Sequence, residues 1–242
     1  MFQLYAVITI KKYDEILVNS LKRQSDQEFE LIGVDNTDNR FSSAASALNY
    51  GAELSKTENL LFVHQDFEFS TENSLKEIKH FFRIISDNDV LGAAGAIYDS
   101  EALFKQRFIG RNRINISTLG NETLSFDNIR KCESVDECCF GLKKELWNSH
   151  HFDENVCFGW DLYGVEMCLY CRSNGGNVYV IPFHAIHHSG GKLSPSFYDC
   201  LKRLTMKYSG HFERVVTTCV VANTRYPRIQ HIKFRIINLF RR

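Results

Sequence analysis

The sequence predicts an α/β fold in which a mostly parallel central sheet is flanked by helices. Short apolar, β-branched runs alternate with segments of helical periodicity through the first hundred residues. The chain has 242 residues, of which 44% are hydrophobic, and this is enough to form the core of one medium-sized domain. Only three prolines and 14 glycines are present, so we expect no flexible linker between separate domains.

The first hundred residues are predicted to have the order βαβαβαβ, which is typical of a parallel sheet covered by helices. Each predicted strand is a short apolar run that ends at polar residues, and the four runs are 4–10, 29–34, 60–63 and 90–97. Helical spacing or composition predicts helices over 14–24, 42–55 and from Ser74, with a stripe at Ile78, Phe82 and Ile85. Ser74 and Glu77 have the spacing of a capping box.

The second half of the chain is predicted to resume this pattern after an irregular segment at residues 98–131. Strands are expected over 132–142 and 178–181, and helices over 144–148 and 162–173. Gly175 and Gly176 follow the last of these helices, where glycine commonly ends a helix.

The charge balance excludes one class of function. Lys and Arg together number 29, as do Asp and Glu, so the formal net charge is zero. A nucleic-acid-binding protein that depends on phosphate attraction is therefore disfavoured, and we expect no nucleic-acid partner. The amino-terminal residues lack the pattern of a secretory signal, and no apolar run has the length of a membrane span, so a cytoplasmic protein is expected.

The chain contains eight cysteines, and their spacing favours buried, reduced thiols. Cys168 and Cys171 form a CxxC inside a helix-like apolar stretch, but no second CxxC or paired histidines accompany them at zinc-finger spacing. A zinc site is the alternative.

Polar residues at strand ends indicate where a ligand would bind. In open α/β sheets, the ligand crevice lies outside the carboxyl ends of the strands. Asp35 follows the second predicted strand, and His64, Gln65 and Asp66 follow the third, so Asp35 and Asp66 are expected to face one crevice. Asp66 is suited to a hard divalent cation that neutralises a diphosphate, although a polar turn would use the same residues.

Two further clusters contain residue types that are common in active sites. Asp161 precedes a predicted helix, and Glu166 lies in its first turns beside the buried stripe. Burial there would raise the pKa of Glu166, which would suit a general base, and a solvated charge at the helix start is the alternative. His184, His187 and His188 follow the last strand and precede Gly190 and Gly191. This second cluster offers a metal ligand or contacts to phosphate.

Taken together, these segments resemble the GT-A-fold glycosyltransferases, specifically the inverting family-2-like proteins of bacterial surface polysaccharide synthesis. The resemblance covers about residues 4–208. It is carried by VDN (34–36), ALNYGAE (47–53), LLFVHQD (60–66), ESVDECCFGLKKELW (133–147), FDEN (152–155), GWDLYGVEMCL (159–169) and AIHHSGG (185–191).

The resemblance implies a nucleotide-sugar donor, most simply a UDP-sugar, bound with Mg²⁺ or Mn²⁺. Asp66 matches the last Asp of the family's DXD motif, His64 stands at its first position as in an HQD subgroup, and His187 resembles a histidine that completes the metal site. The other implied donor-binding residues are Thr9, Asp35, Asn49 and Gln65, and the acceptor-side residues are Asp136 and Trp160.

The family's base belongs to a Glu-Asp pair that aligns with Tyr163 and Gly164 here. The base is therefore expected to be Glu166 or Asp161, with Glu166 favoured slightly.

We expect transfer of a sugar to a hydroxyl group of a glycan or lipid-linked acceptor in surface glycan synthesis. Two alternatives remain: a catalytically degenerate nucleotide-sugar- or carbohydrate-binding module, and a sugar-phosphate nucleotidyltransferase. The second usually needs a glycine-rich phosphate loop after the first strand, and the segment ITIKKYDE has no glycine.

Residues 1–212 are expected to form the catalytic domain and residues 213–242 a basic amphipathic tail. Residues 215–242 carry six basic and no acidic residues, which leaves residues 1–214 with a net charge of −6. Helical spacing places Ile229, Ile232, Ile236 and Leu239 on one face. The tail is therefore predicted to reach an anionic membrane surface at the inner face of the membrane. The alternative is a terminal helix that packs on the domain or mediates oligomerisation.

Overall fold

The computed structural model describes residues 5–11, 15–101, 105–110, 113–114, 129–188, 193–229 and 231–232. The predictions for Gly190, Gly191 and the amphipathic helix beyond residue 232 lie outside these residues.

We number six helices and fifteen strands in chain order, and residues 227–229 and 231–232 are also helical. The helices are α1 (Ile16–Lys22), α2 (Ala44–Leu54), α3 (Ser74–Ile84), α4 (Lys144–Ser149), α5 (Tyr163–Ser173) and α6 (Pro195–Lys207). The strands are β1 (Tyr5–Lys11), β2 (Phe29–Asp35), β3 (Asn59–Val63), β4 (Phe67–Phe69), β5 (Val90–Gly92), β6 (Ala94–Tyr98), β7 (Gln106–Gly110), β8 (Arg113–Ile114), β9 (Arg130–Cys132), β10 (Ser134–Val135), β11 (Cys139–Lys143), β12 (Val178–Val180), β13 (Ala185–His187), β14 (Arg214–Val216) and β15 (Val221–Asn223).

The central sheet has seven strands in the order β2-β1-β3-β11-β5-β12-β9. Strands β2, β1, β3, β5 and β12 run in one direction, whereas β11 and β9 are antiparallel to their neighbours. The prediction of a mostly parallel sheet flanked by helices is confirmed. The sequence pattern did not reveal that β11 inserts between β3 and β5, so the first four parallel strands are not contiguous.

The core lies on both faces of this sheet. On one face, Ile8 and Phe62 pack with α2, α5 and α6, and on the other face, Val7 and Leu61 pack with α1 and α3. The alternation along β1 and β3 follows from the two-residue period of a strand. All eight cysteines are free and seven are buried, so they pack as small apolar side chains, as predicted.

Three boundary predictions need correction. The apolar run 90–97 is two strands, because the Ala93 N–H bonds to the Cys139 carbonyl (2.9 Å) and β6 pairs with β10 and β7 in another sheet. The segment 132–142 likewise holds the end of β9, then β10, and most of β11. Helix α3 has Asn73 as its N-cap, and the Ser74 hydroxyl donates to the Thr71 carbonyl, so Ser74 and Glu77 form no capping box.

Residues 213–224 are part of the domain and do not begin a separate tail. The hairpin of β14 and β15 buries Val215 and Ala222 in the core. The Ser134 hydroxyl donates to the Val216 carbonyl (2.6 Å), which joins the hairpin to β10. Among the described residues, no helix is both long enough and apolar enough to span a membrane.

Helix α5 ends as the glycine pair predicted. Gly175 has a φ of 81°, a conformation that glycine adopts without steric cost. The N–H of Gly176 bonds to the Cys171 carbonyl (3.0 Å) and that of Gly175 to the Arg172 carbonyl (3.3 Å), which is the pattern of a Schellman motif.

Candidate active site

A cavity of about 430 Å³ opens at the carboxyl ends of β1, β2 and β3. Its volume falls within the usual range for small-molecule sites, and its place agrees with the strand-end rule. Its lining residues come from the strand ends, α2 and the entrance to α5: Ile10, Asn36, Asn39, Ala44, Leu48, Phe62, Val63, His64, Gln65, Asp66, Trp160 and Tyr163.

The pairing of two short strands brings His187 to Asp66. Strand β13 runs antiparallel to β4, with His187 opposite Phe67, the residue after Asp66. The N–H of His188 also bonds to the Asp66 carbonyl (3.0 Å). Histidine and aspartate are thus adjacent although 121 positions separate them in the sequence.

His64, Asp66 and His187 form a compact cluster. The ligand atoms of the three side chains lie within 4.8 Å of one another. His187 Nε2 lies 3.3 Å from Asp66 Oδ1 and 3.3 Å from His64 Nδ1. The Tyr163 hydroxyl lies 3.0 Å from the other nitrogen of His64, Nε2. Two imidazoles and one carboxylate are a set of groups that can hold a divalent cation.

The surroundings of His64 and Asp66 favour the protonation states in which these two side chains bind a metal. Burial, with the charge of His187, lowers the pKa of His64, although Asp66 and Asp136 oppose this. Burial alone would raise the pKa of Asp66, but its hydrogen bond to His187 and the charges of both histidines hold that pKa below its ordinary value. A neutral imidazole and an ionised carboxylate are the forms that bind metals.

A second group of possible ligands, Asp136, Cys138 and His187, shares one histidine with the first. Here the Asp136 carboxylate already accepts bonds from the Cys138 N–H (3.1 Å) and the Thr218 hydroxyl (2.8 Å). Burial raises the pKa of the Cys138 thiol well above its ordinary value, which opposes the thiolate that a metal would need. We therefore take the first cluster as the cation site.

The predicted donor-binding residues fall into two groups. His64, Gln65 and Asp66 line the cavity. Thr9 lies beside the lining residue Ile10, is buried, and its hydroxyl has no hydrogen-bond partner among the described residues. Asp35 is exposed and accepts bonds from the N–H and the hydroxyl of Thr37. The cavity is lined by the next residue, Asn36, and not by Asp35.

Asn49 does not face the cavity, which corrects its assignment as a donor-binding residue. Its amide donates to the Phe152 carbonyl and to Glu154 (both 3.0 Å). Its carbonyl accepts from the Trp147 indole (3.2 Å) and the Phe152 N–H (3.0 Å). These four bonds occupy the hydrogen-bonding capacity of the side chain. Asn49 therefore connects α2 to the segment after α4.

The entrance to α5 forms the opposite wall of the cavity. Trp160 lines the cavity and is 48% exposed, so its ring is available to a ligand. Leu162 has a φ of 70°, which is unusual for a residue other than glycine and is a strained conformation often seen at functional sites. Asp161 accepts a bond from the Ser194 hydroxyl (3.0 Å), and burial raises its pKa.

Glu166 is part of a buried ion network, and its expected raised pKa is wrong. The side chain is fully buried and accepts bonds from Lys207 Nζ (2.7 Å), the Tyr208 hydroxyl (2.8 Å) and His150 Nε2 (3.0 Å). Burial alone would raise the pKa of Glu166, but His150 and Lys207 outweigh it and lower the pKa. Neither Glu166 nor Asp161 is among the cavity-lining residues. The lowered pKa of Glu166 and its bonds to Lys207 and His150 make it the weaker candidate for the base, whereas burial raises the pKa of Asp161.

Glu137 is a carboxylate that the sequence pattern did not single out. It lies between β10 and β11, and Oε1 accepts a bond from the Val165 N–H (3.3 Å) in the first turn of α5. Burial, with the charges of Asp136 and Asp161, raises the pKa of Glu137 to about 8. One signal was present: Asp136 and Glu137 interrupt an otherwise buried run between Val135 and Cys138.

Two comparisons find sequence similarity over most of this chain. A family model described as "Glycosyltransferase like family" matches residues 4–189. A protein of Fuscovulum blasticum named "ATP synthase subunits region ORF 6" is 22% identical over 214 residues, which cover 86% of this chain and 83% of that protein.

Two solved structures share the fold. GalNAc-T7 with UDP, GalNAc and Mn²⁺ is similar with a TM-score of 0.59 and 10% identity, over 85% of this chain and 48% of that one. TarS 1–349 of S. aureus with UDP-GlcNAc is similar with a TM-score of 0.54 and 16% identity, over 84% of this chain and 65% of that one. This chain thus spans less than two thirds of either. Both are GT-A glycosyltransferases, which confirms the predicted fold.

Proposed function

This chain belongs to the glycosyltransferase-like family whose model covers residues 4–189, and from that premise we propose that it transfers a sugar from a UDP-sugar to a hydroxyl acceptor with a divalent cation. The observation that carries the proposal is the His64–Asp66–His187 cluster at the wall of the strand-end cavity. The structural neighbours support the donor class, because one is a complex with UDP-GlcNAc and the other contains UDP, GalNAc and Mn²⁺.

The three side chains fit a cation chemically. The Nε2–H of His64 is able to donate to the Tyr163 oxygen (3.0 Å), which leaves the Nδ1 lone pair facing His187 and Asp66. A set with two imidazoles favours Mn²⁺ over Mg²⁺, which prefers oxygen ligands. When bound, the cation would neutralise negative charge on the diphosphate of the donor.

Other residues in or near the cavity would position the donor and the acceptor. Asn36 follows β2 and lines the cavity, where its amide suits polar groups of the nucleoside. Thr9 alternates with the lining residue Ile10 along β1, and nothing among the described residues brings its side chain to the cavity. Gln65 lines the cavity beside the cluster. Trp160 offers an exposed aromatic face, which suits the apolar face of a sugar ring, and Asp136 lies near the cation cluster on the acceptor side. An inverting transfer additionally needs a base for the acceptor hydroxyl.

A panel of nucleotide sugars in a thermal-shift assay tests the proposal. A ligand at one hundred times its Kd adds about 2.7 kcal/mol to the folded state, which is about 5–10 °C in Tm for a chain of this size. We expect such a shift for at least one UDP-sugar with Mn²⁺ and a much smaller shift with EDTA. No shift for any UDP-sugar, or an equal shift with EDTA, would contradict the proposal.

A role in surface glycan synthesis at the inner face of the membrane is the second part of the proposal. Residues 227–229 begin a helical turn, and Ile229 and Ile232 are 68% and 59% exposed beside Arg225 and Arg228. Between them, His231 is buried, with Nδ1 3.2 Å from the Tyr198 carbonyl and Nε2 3.2 Å from Asp199. One side of this turn thus contacts α6, and the other offers apolar and basic groups to anionic lipid.

Cosedimentation with vesicles tests the membrane contact. We expect the protein to sediment with vesicles of anionic phospholipid at low salt and not with zwitterionic ones. The double variant Ile229→Asp/Ile232→Asp, which retains His231, should lose most of this binding. Equal sedimentation of the variant and the wild type would show that this face does not bind the membrane.

A further inference from the structure

Tyr163 is held by packing at the wall of the cavity. It is the first residue of α5, its side chain is buried, and it lines the cavity. The centroid of its ring lies 6.0 Å from that of Phe140 and 5.8 Å from that of Phe152. These separations are typical of packed aromatic pairs. The hydroxyl of Tyr163 therefore has a fixed place beside His64, 3.0 Å from its Nε2.

The hydrogen bonds around His64 indicate which of its two nitrogens carries a proton. His187 Nε2 lies 3.3 Å from Asp66 Oδ1 and 3.3 Å from His64 Nδ1. An ionised carboxylate only accepts hydrogen bonds, so a proton on His187 Nε2 satisfies both Asp66 and His64 Nδ1. A neutral imidazole with one accepting nitrogen carries its proton on the other nitrogen. The proton of His64 thus belongs on Nε2, which faces the Tyr163 oxygen.

The Tyr163 oxygen accepts this bond, which leaves its own O–H group without an acceptor. A tyrosine hydroxyl has one donor and two acceptor sites, and it keeps its proton at neutral pH. The bond with His64 is the only hydrogen bond that this hydroxyl makes among the described residues. Because Tyr163 lines the cavity, its O–H group is available to a ligand there.

The charge of the cavity indicates which ligand group this O–H would meet. The described lining residues include Asp66 but no Lys or Arg, so none of them neutralises a diphosphate with a basic side chain. The negative oxygens of a diphosphate would then depend on the divalent cation and on neutral donors, and hydrogen bonds to charged oxygens are the stronger ones. Tyr163 provides such a donor directly beside His64, a member of the cation cluster.

We propose that the Tyr163 hydroxyl, while it accepts a bond from His64, donates one to a diphosphate oxygen of the nucleotide sugar. This inference rests on the proposed transfer function. The bond from His64 keeps the Nδ1 lone pair of that residue directed at the cation cluster, so Tyr163 is a positioning residue for the cation. The bond to the diphosphate makes it a donor-binding residue as well. The two bonds strengthen each other, because a hydroxyl that accepts a hydrogen bond is a better donor.

The variant Tyr163→Phe tests both bonds. Phenylalanine retains the ring and its packing, so the Tm should stay near that of the wild type. The affinity for Mn²⁺ without nucleotide, measured from the electron paramagnetic resonance of free Mn²⁺, should fall by about 10–100-fold. At saturating Mn²⁺, the Kd of UDP in calorimetric titration should rise by about tenfold or more. The Kd of uridine, which has no phosphate, should stay near that of the wild type.

Tyr170→Phe is the matched control. Tyr170 lies later in the same helix, its hydroxyl is 3.5 Å from Ser149 Oγ, and it is not among the residues that line the cavity. This variant should bind Mn²⁺, UDP and uridine like the wild type.

Nitrogen NMR of His64 gives a further readout that a merely structural role would not determine. In the cation-free wild type, we expect the proton of the neutral imidazole on Nε2. The variant His64→Gln identifies the two resonances, because both disappear from its spectrum.

The outcomes distinguish this inference from the proposed function. A wild type that binds neither Mn²⁺ nor UDP overturns both. A wild type that binds both ligands, together with unchanged affinity of Tyr163→Phe for either of them, overturns the role of Tyr163 and leaves the transferase intact. An equal loss of affinity for UDP and uridine contradicts the bond to the diphosphate. A proton on Nδ1 of His64 in the wild type contradicts the bond from His64 to Tyr163.

Discussion

The variant Asp66→Asn is expected to lose sugar transfer and Mn²⁺-dependent donor binding while it remains folded. Asp66 supplies the carboxylate of the proposed cation cluster, and its lowered pKa shows that the ionised form is the stable one there. Loss of several kcal/mol of charge stabilisation corresponds to at least about 10³-fold in kcat. Because the side chain is 27% exposed and its size is retained, the free energy of unfolding should change little.

Calorimetric titration with a UDP-sugar, with and without Mn²⁺, measures this effect directly. Asp87→Asn is a matched control, because Asp87 is an exposed aspartate that pairs with Lys143. Lys143 lies opposite Asn59 at the start of β3, which is the end of the strand away from the cavity. The control should bind and transfer like the wild type. Normal transfer by Asp66→Asn would refute the assignment of the cation cluster.

The variant Glu166→Gln is expected to be strongly destabilised and yet to retain its kcat when folded. The Glu166 carboxylate is fully buried and joins α5 to Lys207 of α6, to Tyr208 and to His150. Removing one partner of a buried ion pair typically costs about 3–5 kcal/mol. We expect the lower end of this range, because Lys207 is partly exposed and keeps its contact with Asp153.

The contribution of Glu166 to the free energy of unfolding is expected to decrease at low pH. The folded-state pKa of Glu166 lies below its ordinary value of 4.5, so its ionisation stabilises the fold at pH values above 4.5. This contribution is lost as the pH falls through the lowered pKa. The difference in the free energy of unfolding between wild type and Glu166→Gln should therefore shrink as the pH falls below 4.5 and through the lowered pKa.

Urea denaturation at several pH values, with kcat measured in parallel, tests the role of Glu166. Glu133→Gln is a suitable control, since Glu133 pairs with Arg172 of α5 but is partly exposed, and its loss should cost about 1 kcal/mol or less. If Glu166→Gln were as stable as the wild type and lost most of its kcat, Glu166 would be the base after all.

Local pattern was sufficient to predict the amino-terminal half of the fold and the position of Asp66. Strands β1, β2 and β3 are short apolar runs that end in polar residues, and the strand-end rule alone places His64, Gln65 and Asp66 at the cavity. The boundary between β5 and β6 could not be predicted from the sequence, because the run 90–97 is apolar throughout. The two strands differ only in their partners, since β5 pairs with β12 and β6 pairs with β10.

The remaining errors concern contacts between distant parts of the chain. Asn49 bonds to residues about 100 positions away, and Glu166 is neutralised by Lys207, 41 positions later. Neither partner is visible in a local window of sequence. Glu137 escaped notice for the same reason, because it lies against Gly164 and accepts a bond from Val165, 28 positions later.

The central claim is that this cavity transfers a sugar from a UDP donor. The most direct measurement is the release of UDP from labelled UDP-GlcNAc and UDP-GalNAc, the sugars of the two structural neighbours, with water and a panel of hydroxyl acceptors. We predict release of UDP that requires Mn²⁺, stops with EDTA and is absent in Asp66→Asn. Saturable binding of a UDP-sugar without release of UDP under any of these conditions would contradict the account and identify a binding module.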